Sequence, residues 1–174
     1  MLFRSSLDSR TADLLALAIL TDTGNFKFAR NGDALRIMAD LVDSGVNIRE
    51  LIELMNNKPR KTVQLEARTA ANAEFFYHGR LALAVVEKKD YKYLDGRGEM
   101  ALSLLGQIQG VEYIVLLKEQ KPEQIGVSIR SRKKPIDKIA IALGGGGHER
   151  AAGAVVRDNI ANVRARVLEL FKGE

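Results

Sequence analysis

Four consecutive glycines, Gly144 to Gly147, are followed at once by His148 and lie between the apolar runs Ile139-Ala140-Ile141-Ala142-Leu143 and Ala154-Val155-Val156. No other feature of the chain limits its fold so sharply. Glycine gives up more backbone freedom on folding than any other residue, so four in a row inside packed structure answer to a specific need. One reading is a flexible connection between two elements. The other is a concave nest of bare backbone N–H groups turned toward an anion, with the His148 imidazole completing the contact. The apolar flanks favour the nest, and with it a phosphate site. No Gly-Lys-Ser/Thr pair follows the glycines and no spaced Gly-x-Gly-x-x-Gly occurs, so the two commonest nucleotide fingerprints do not apply.

Upstream, Ile125-Gly126-Val127-Ser128-Ile129-Arg130 alternates apolar with small or polar residues and runs into Ser131-Arg132-Lys133-Lys134-Pro135. Side chains alternate along a strand, so Val127 and Ile129 share one face while Ser128 and Arg130 share the other. A guanidinium fork suits a phosphodiester, which makes Arg130 and Arg132 candidate substrate contacts. Lys133 and Lys134 serve either as added charge or as the solvated end of a hairpin.

The 174 residues are 46% hydrophobic, enough to bury a core as one medium domain or two small ones. A net charge of only +5, with basic residues bunched at Arg130 to Lys134, suits a short anionic ligand better than a long duplex track. At 6% aromatic residues and no tryptophan, an extended base-stacking platform is not expected. The absence of cysteine excludes thiolate metal sites and leaves oxygen and imidazole ligands, which suit Mg²⁺ or Mn²⁺. No apolar run is long enough to span a bilayer and the first residues lack a signal-peptide core. The expectation is a cytoplasmic protein with no membrane partner.

Thr11 or Asp13 can cap a helix through Leu14, Leu15, Ala18 and Ile19 that ends at Thr21-Asp22-Thr23-Gly24, which sets Asp22 at a helix exit. A second helix is expected over 33–44, with Leu35, Met38, Ala39 and Val42 inward and Gly45 as its stop, and a third over 50–55. A long helix over 60–77, with Val63, Ala67, Ala70, Ala71 and Phe75 as its apolar stripe, reads as a linker. After Gly79 the run Leu81-Ala82-Leu83-Ala84-Val85-Val86 reads as a buried strand opening a second domain. There follow a helix over 99–109, a strand over 111–118, a turn at Lys121-Pro122-Glu123, a strand over 124–130, a helix over 136–143, the glycine loop, a strand over 152–156 and a helix over 160–171. A hairpin at Pro122 rules out an all-parallel sheet, so the second domain is α/β with a mixed sheet.

Asp22, taken alone, fits an ordinary backbone-capping residue of a turn. His78 reads as a solvent-facing residue at a helix C-terminus. Asp90, Tyr91, Tyr93 and Asp95 fit a pocket border or a polar connection equally well.

Taken together, Ile125-Gly-Val-Ser-Ile-Arg-Ser-Arg132, the helix at 135–143 and Gly-Gly-Gly-Gly-His-Glu-Arg-Ala-Ala-Gly153 resemble the C-terminal substrate-binding domain of the DHH phosphoesterase superfamily. The likeness is to the oligoribonuclease (nano-RNase) and 3′-phosphoadenosine 5′-phosphate phosphatase branch, related to the RecJ-like exonucleases. Ala16-Leu-Ala-Ile-Leu-Thr-Asp22-Thr-Gly-Asn-Phe-Lys-Phe28 resembles the last metal-binding motif of the catalytic DHH domain. The resemblance implies that Asp22 is a ligand of a two-metal site, Mn²⁺ or Mg²⁺, whose activated water attacks the scissile phosphate. It implies that Arg130, Ser131, Arg132, Gly144, Gly145, Gly146, Gly147 and His148 hold a short oligonucleotide or phosphorylated nucleotide, and a clamp set apart from the metals would select short substrates. It is compatible with a homodimer. Residues 1–59 then form the C-terminal remnant of a DHH catalytic domain, 60–79 a linker helix and 80–174 the DHH-associated C-terminal domain.

The family's Asp-x-Asp and Asp-His-His motifs do not occur here, and neither His78 nor His148 follows an aspartate. The expectation is therefore a C-terminal piece, whether a fragment, an engineered piece or one product of a split gene, and one inactive by itself. Two other readings stand beside it. One is a non-catalytic nucleic-acid or nucleotide-binding module, of the kind also appended to alanyl-tRNA synthetase. The other is a cyclic-dinucleotide phosphodiesterase.

Overall fold

A computed structural model describes residues 7–94, 96 and 98–173. Asp95, considered above as a pocket border, lies outside the described residues. The chain divides into two compact units, one up to Asn57 and the other from Lys58 onward.

The first unit contains helices α1 (Ser9–Thr23), α2 (Asp33–Asp43) and α3 (Ile48–Asn56). Asp8 caps α1, accepting from the Thr11 amide at 3.0 Å and the Thr11 hydroxyl at 2.7 Å. The cap thus falls upstream of the expected Thr11 or Asp13, and Thr11 donates to it. Ala12, Ala16 and Leu20 meet Met38, Leu41 and Val46 in the core. The buried face of α2 also differs from expectation, since Leu35 and Val42 are exposed while Met38 and Leu41 are buried. Two apolar stripes with helical spacing overlap on α2, and the one through Ile37, Met38 and Leu41 is the one that meets α1 and α3.

The second unit contains α4 (Arg60–Ala71), β1 (Glu74–Phe76), β2 (Leu81–Val86), α5 (Lys88–Tyr91), α6 (Glu99–Leu105), β3 (Tyr113–Lys121), β4 (Gln124–Ser131), α7 (Asp137–Ala142), β5 (Gly146–His148), β6 (Ala151–Val156) and α8 (Ile160–Phe171). The strands form one sheet in the order β1-β2-β3-β4-β6-β5. β2 and β3 are parallel and the other neighbours antiparallel, the mixed α/β sheet that the Pro122 hairpin requires. One face buries Leu83, Val115, Leu117, Val127 and Ile129 together with Ile139 of α7 and Val163, Val167 and Phe171 of α8. The opposite face buries Ala82, Ala84, Ile114 and Leu116 under Leu65 of α4 and Leu102 and Leu105 of α6. Among the described residues no helix is long and apolar enough to cross a membrane.

The helix expected over 60–77 stops at Ala71. Glu74-Phe75-Phe76, aromatic-rich and suited to a pleated surface, leaves it as β1 and pairs antiparallel with β2. The turn between them holds Tyr77, His78 and Gly79 at φ 54°, 60° and 82°, the last two being the left-handed central pair that matches strand twist in a hairpin. His78 is exposed on that turn instead of at a helix end.

The face of α4 is corrected as well. Val63, Ala67 and Ala71 are exposed, and the buried residues are Thr62, Leu65, Glu66 and Thr69. Polar anchoring explains the rotation. The fully buried Glu66 carboxylate accepts from the Met100 and Ala101 amides at 2.8 and 3.1 Å, in the first turn of α6, and from Lys58 Nζ at 2.9 Å. A carboxylate there satisfies amides that lack helical partners and opposes the positive end of the helix dipole. The Thr62 hydroxyl donates to the Tyr93 carbonyl at 2.9 Å.

Replacing Glu66 by Ala would strand a half-buried ammonium and two amides, so Glu66→Ala should destabilise the second unit by about 2–4 kcal/mol. Glu66→Gln, which keeps an acceptor, should cost less than half as much. Urea unfolding followed by circular dichroism measures both, and equal stability of the Ala variant and the parent would refute the anchoring role.

Candidate phosphate-binding site

Strand register brings three of the sequence candidates, Arg130, Gly146 and His148, onto one face. Ile114, Arg130, Ala151 and His148 stand opposite one another across β3, β4, β6 and β5, and the next row is Leu116, Ser128, Gly153 and Gly146. A third row carries Lys118, Gly126 and Val155. The side of this face under α4 and α6 is apolar. Beyond β3 it becomes a shelf with a floor of glycine, alanine and serine, edged by Arg130 and His148 on one side and Lys118 on the other. Val155 is 55% exposed and Gly146 and His148 are exposed, so the β6 and β5 part of the shelf opens to solvent, while Gly126, Ser128 and Lys118 are buried.

The four glycines have different jobs. Gly144, at φ 80°, ends α7 with its amide on the Ile141 carbonyl, and Gly145 donates to the Ala140 carbonyl, both at 2.8 Å. That bond pair is a Schellman stop, which favours glycine at the first of the two positions. A Cβ on Gly145 would lie 2.1 Å from the Gly153 carbonyl, and one on Gly147 would lie 2.5 Å from Ala152 Cα. Gly147 also sits at φ 145°, closed to side chains. Gly146 alone of the four has neither constraint, since its φ is not positive and nothing stands within 4 Å of a built Cβ. The fold requires glycine at three positions and leaves the fourth bare.

Arg130 is half-buried; its Nη1 donates to the Ile129 carbonyl at 3.0 Å and its Nη2 to Glu99 Oε1 at 2.5 Å. Glu99 opens α6, so the helix that covers the apolar side also orients the guanidinium at the shelf's edge. His148 is exposed and its ring makes no hydrogen bond among the described residues. Ser131 points the other way: its buried hydroxyl donates to the Lys134 carbonyl at 2.5 Å. Arg132 donates to the Ile108 carbonyl at 3.4 Å and its amide to the Glu112 carbonyl at 2.9 Å. Lys133 pairs with Glu112 at 2.8 Å, a bond that holds the Glu112 carboxyl below the usual carboxylate range. The structure thus sets Arg130, Gly146 and His148 together and ties Ser131, Arg132 and Lys133 to the neighbouring backbone and to Glu112.

Residues 81–173 match the family model of the DHHA1 domain. This chain belongs to the DHHA1 family, within the DHH superfamily. The DHHA1 chain is 33% identical over 159 residues to the bifunctional oligoribonuclease and PAP phosphatase NrnA of Thermus thermophilus, covering 90% of this chain and 48% of that protein. To the protein of the same name from Bacillus subtilis it is 27% identical over 155 residues, covering 86% of this chain and 49% of the other. The chain spans about half the length of these relatives. An exopolyphosphatase-related protein from Bacteroides fragilis shares the fold with a TM-score of 0.85 at 21% identity, covering 95% of this chain and 51% of that one.

Asp22, in the last turn of α1, is exposed. Among the described residues no group of three or more histidines, aspartates and glutamates is placed to hold a metal ion. The donor set around Asp22 within this DHHA1 chain therefore does not by itself fit a divalent metal, which needs several ligands at once. Asp90, also weighed as a pocket border, instead accepts from Arg68 at 3.4 Å.

Two contributors escaped the sequence reading. Lys118 closes the apolar run Ile114-Val115-Leu116-Leu117, and a charge at the end of such a strand was the available signal. Gly153, between two alanines, becomes floor only through the pairing of β6 with β4 and β5. A Cβ there would lie 2.7 Å from the Val127 carbonyl.

Forcing a methyl group against backbone at Gly145 or Gly147 should lower stability by about 1–3 kcal/mol in each alanine variant, whereas Gly146→Ala should leave the thermal midpoint unchanged or slightly raised. Differential scanning calorimetry of the three variants checks this. Equal destabilisation at all three would make the run a single structural turn.

Proposed function

We propose that this chain supplies the substrate-binding part of a metal-dependent phosphoesterase acting on short oligoribonucleotides or on 3′-phosphoadenosine 5′-phosphate. The observation that carries the reading is the shared row of Arg130 and His148 beside Gly146, a glycine the fold does not require. A guanidinium fork and an imidazole form a donor set for a phosphate, and the missing side chain at Gly146 leaves room for it beside them; the Gly144 and Gly145 amides close α7 and do not form the expected nest. The names of the relatives agree in substrate class. Held at that end, a short substrate presents its scissile bond in a fixed place, and positioning of this kind contributes to catalysis without any chemistry at the shelf.

Asp22 is proposed as one metal ligand, completed by groups that this chain does not supply among its described residues. The hydrolytic step is accordingly not assigned to the chain alone. The purified 174-residue chain should show negligible Mn²⁺-dependent cleavage of a dinucleotide, and robust turnover would mean that another cluster does the chemistry. In the full-length gene product Asp22→Asn should abolish turnover with substrate affinity nearly intact. Activity within a few-fold of the parent at saturating Mn²⁺ would return Asp22 to the role of a helix-end residue.

The chain itself should bind a 5′-phosphorylated dinucleotide weakly. Arg130→Ala or His148→Ala should each weaken that binding by about 1–3 kcal/mol, the range for losing a charge-assisted or buried hydrogen bond. Lys133→Ala should matter less, because Lys133 lies beyond β4 and outside the row that Arg130 shares with His148. Titration calorimetry at two salt concentrations reads these effects, with a shallow salt dependence expected from few phosphate contacts. Unchanged affinity in both the Arg130 and His148 variants would remove the shelf from substrate binding.

A further inference from the structure

We infer that a hollow between the start of α4 and the segment 92–94 is a nucleic-acid contact separate from the shelf, where Arg60, Lys61 and Lys92 take backbone phosphates of a single strand and Tyr93 takes a base. The inference goes beyond the reading of the shelf and does not rest on it. The hollow measures about 480 Å³ and is lined by residues 59–62 and 92–94. Thr62, itself buried, donates its hydroxyl to the Tyr93 carbonyl at 2.9 Å and so fastens one wall to the other. Tyr93 also packs on the core beneath α4 and α6. The ring is thereby held in place while the charges around it stay in solvent.

Lys61 Nζ stands 5.1 Å from the centre of the Tyr93 ring, and Lys92 Nζ stands 4.9 Å from it. Both lysines and Arg60 are exposed, and among the described residues none of the three pairs with a carboxylate. Other cations on the same elements do pair: Lys58 with Glu66, Arg68 with Asp90 and Lys89 with Glu87. Attraction to the ring offsets part of the repulsion between two ammoniums set beside it. An anion in the hollow relieves the rest.

The pattern of cations around one aromatic ring selects among anions. A duplex keeps its bases stacked inside and calls for a broad cationic track. A single strand offers phosphates to the cations and an unstacked base to the ring. Ammonium–ring contacts are weak at exposed sites, so the lysines can swing to phosphates and leave the ring face to the base. A single nucleotide meets too few of these solvated charges to gain much. The hollow therefore suits strands longer than the nucleotide the shelf holds.

The test uses the 174-residue chain in metal-free buffer. Its ligands are a fluorescein-labelled single-stranded RNA of about twelve nucleotides, within the usual span of single-strand sites, a duplex of the same length, and a 5′-phosphorylated dinucleotide. Anisotropy follows the two longer ligands and calorimetry the dinucleotide. Replacing both lysines, Lys61→Gln with Lys92→Gln, should weaken the single strand about tenfold and flatten its salt dependence by one or two phosphate contacts. The dinucleotide should change by less than about twofold, since solvated charges outside its contacts contribute little. Tyr93→Leu should weaken the strand about fivefold or more, the loss of one stacked base, while Tyr93→Phe keeps the parent's affinity. Unchanged strand affinity in the double lysine variant or in Tyr93→Leu overturns the inference. Equal losses for strand and dinucleotide, or a duplex bound as tightly as the strand, overturn it too. Arg130→Ala should weaken the dinucleotide and leave the lysine effect on the strand in place; a dinucleotide indifferent to Arg130→Ala counts against the shelf and not against the hollow. Should Tyr93→Leu lose the parent's circular dichroism, spectra of the unsubstituted chain with ring-labelled tyrosine decide. A shift of the Tyr93 ring resonances on adding the strand supports the contact, and unmoved resonances refute it.

Discussion

The shelf exists because the backbones of β5 and β6 approach more closely than side chains allow. Gly145 and Gly147 lie where a Cβ would fall 2.1 and 2.5 Å from atoms of β6. A Cβ on Gly153 of β6 would fall 2.7 Å from the Val127 carbonyl of β4. These contacts lay the last two strands of the sheet flat beside β4, with only the small Ala151 between Arg130 and His148 at the sheet edge. Larger residues there would push β5 off the sheet and take His148 out of line with Arg130.

A second constraint keeps the shelf open. The same sheet face that forms it is apolar over β2 and β3, where α4 and α6 cover it. The buried Glu66 carboxylate joins those helices by bridging the body of α4 to the first turn of α6. Glu99, in that same first turn, holds Arg130. One helix terminus thus serves both the packing of the covered half and the orientation of the cation at the edge of the open half. Local stability and the donor geometry of the candidate site are coupled through a few polar contacts, which is a reason for charged groups to be buried where apolar ones would pack.

Much of this was legible in the residues. The alternation in Ile125 to Arg130 gave the strand and its two faces, because a buried sheet face forces a period of two. The last helix matches its apolar spacing over 160–171, and Asn159 caps it as short polar residues do. The glycine run with His148 leads into and forms the edge strand β5, in register with the row of Arg130. What spacing could not supply was cross-strand information. That His148 lines up with Arg130, and that Lys118 reaches Ser128, depends on register between segments distant in the chain. The misread face of α4 has a related cause, since Thr62, Glu66 and Thr69 are buried by specific polar partners and hydrophobic periodicity does not count them. Ser131 looked like part of a basic recognition loop, yet the end of β4 turns its hydroxyl back onto Lys134.

The central claim is that the face shared by Arg130, His148 and Gly146 receives phosphate. The most direct measurement is a titration of the ¹⁵N-labelled chain with adenosine 3′,5′-bisphosphate, followed by amide chemical shifts. The account predicts saturable shifts concentrated at Ser128, Arg130, Gly144 to His148 and Gly153, with the amides of α7 and α8 on the opposite face unmoved. Shifts that leave the glycine run untouched and gather elsewhere, such as around the exposed lysines beside Tyr93, would contradict it.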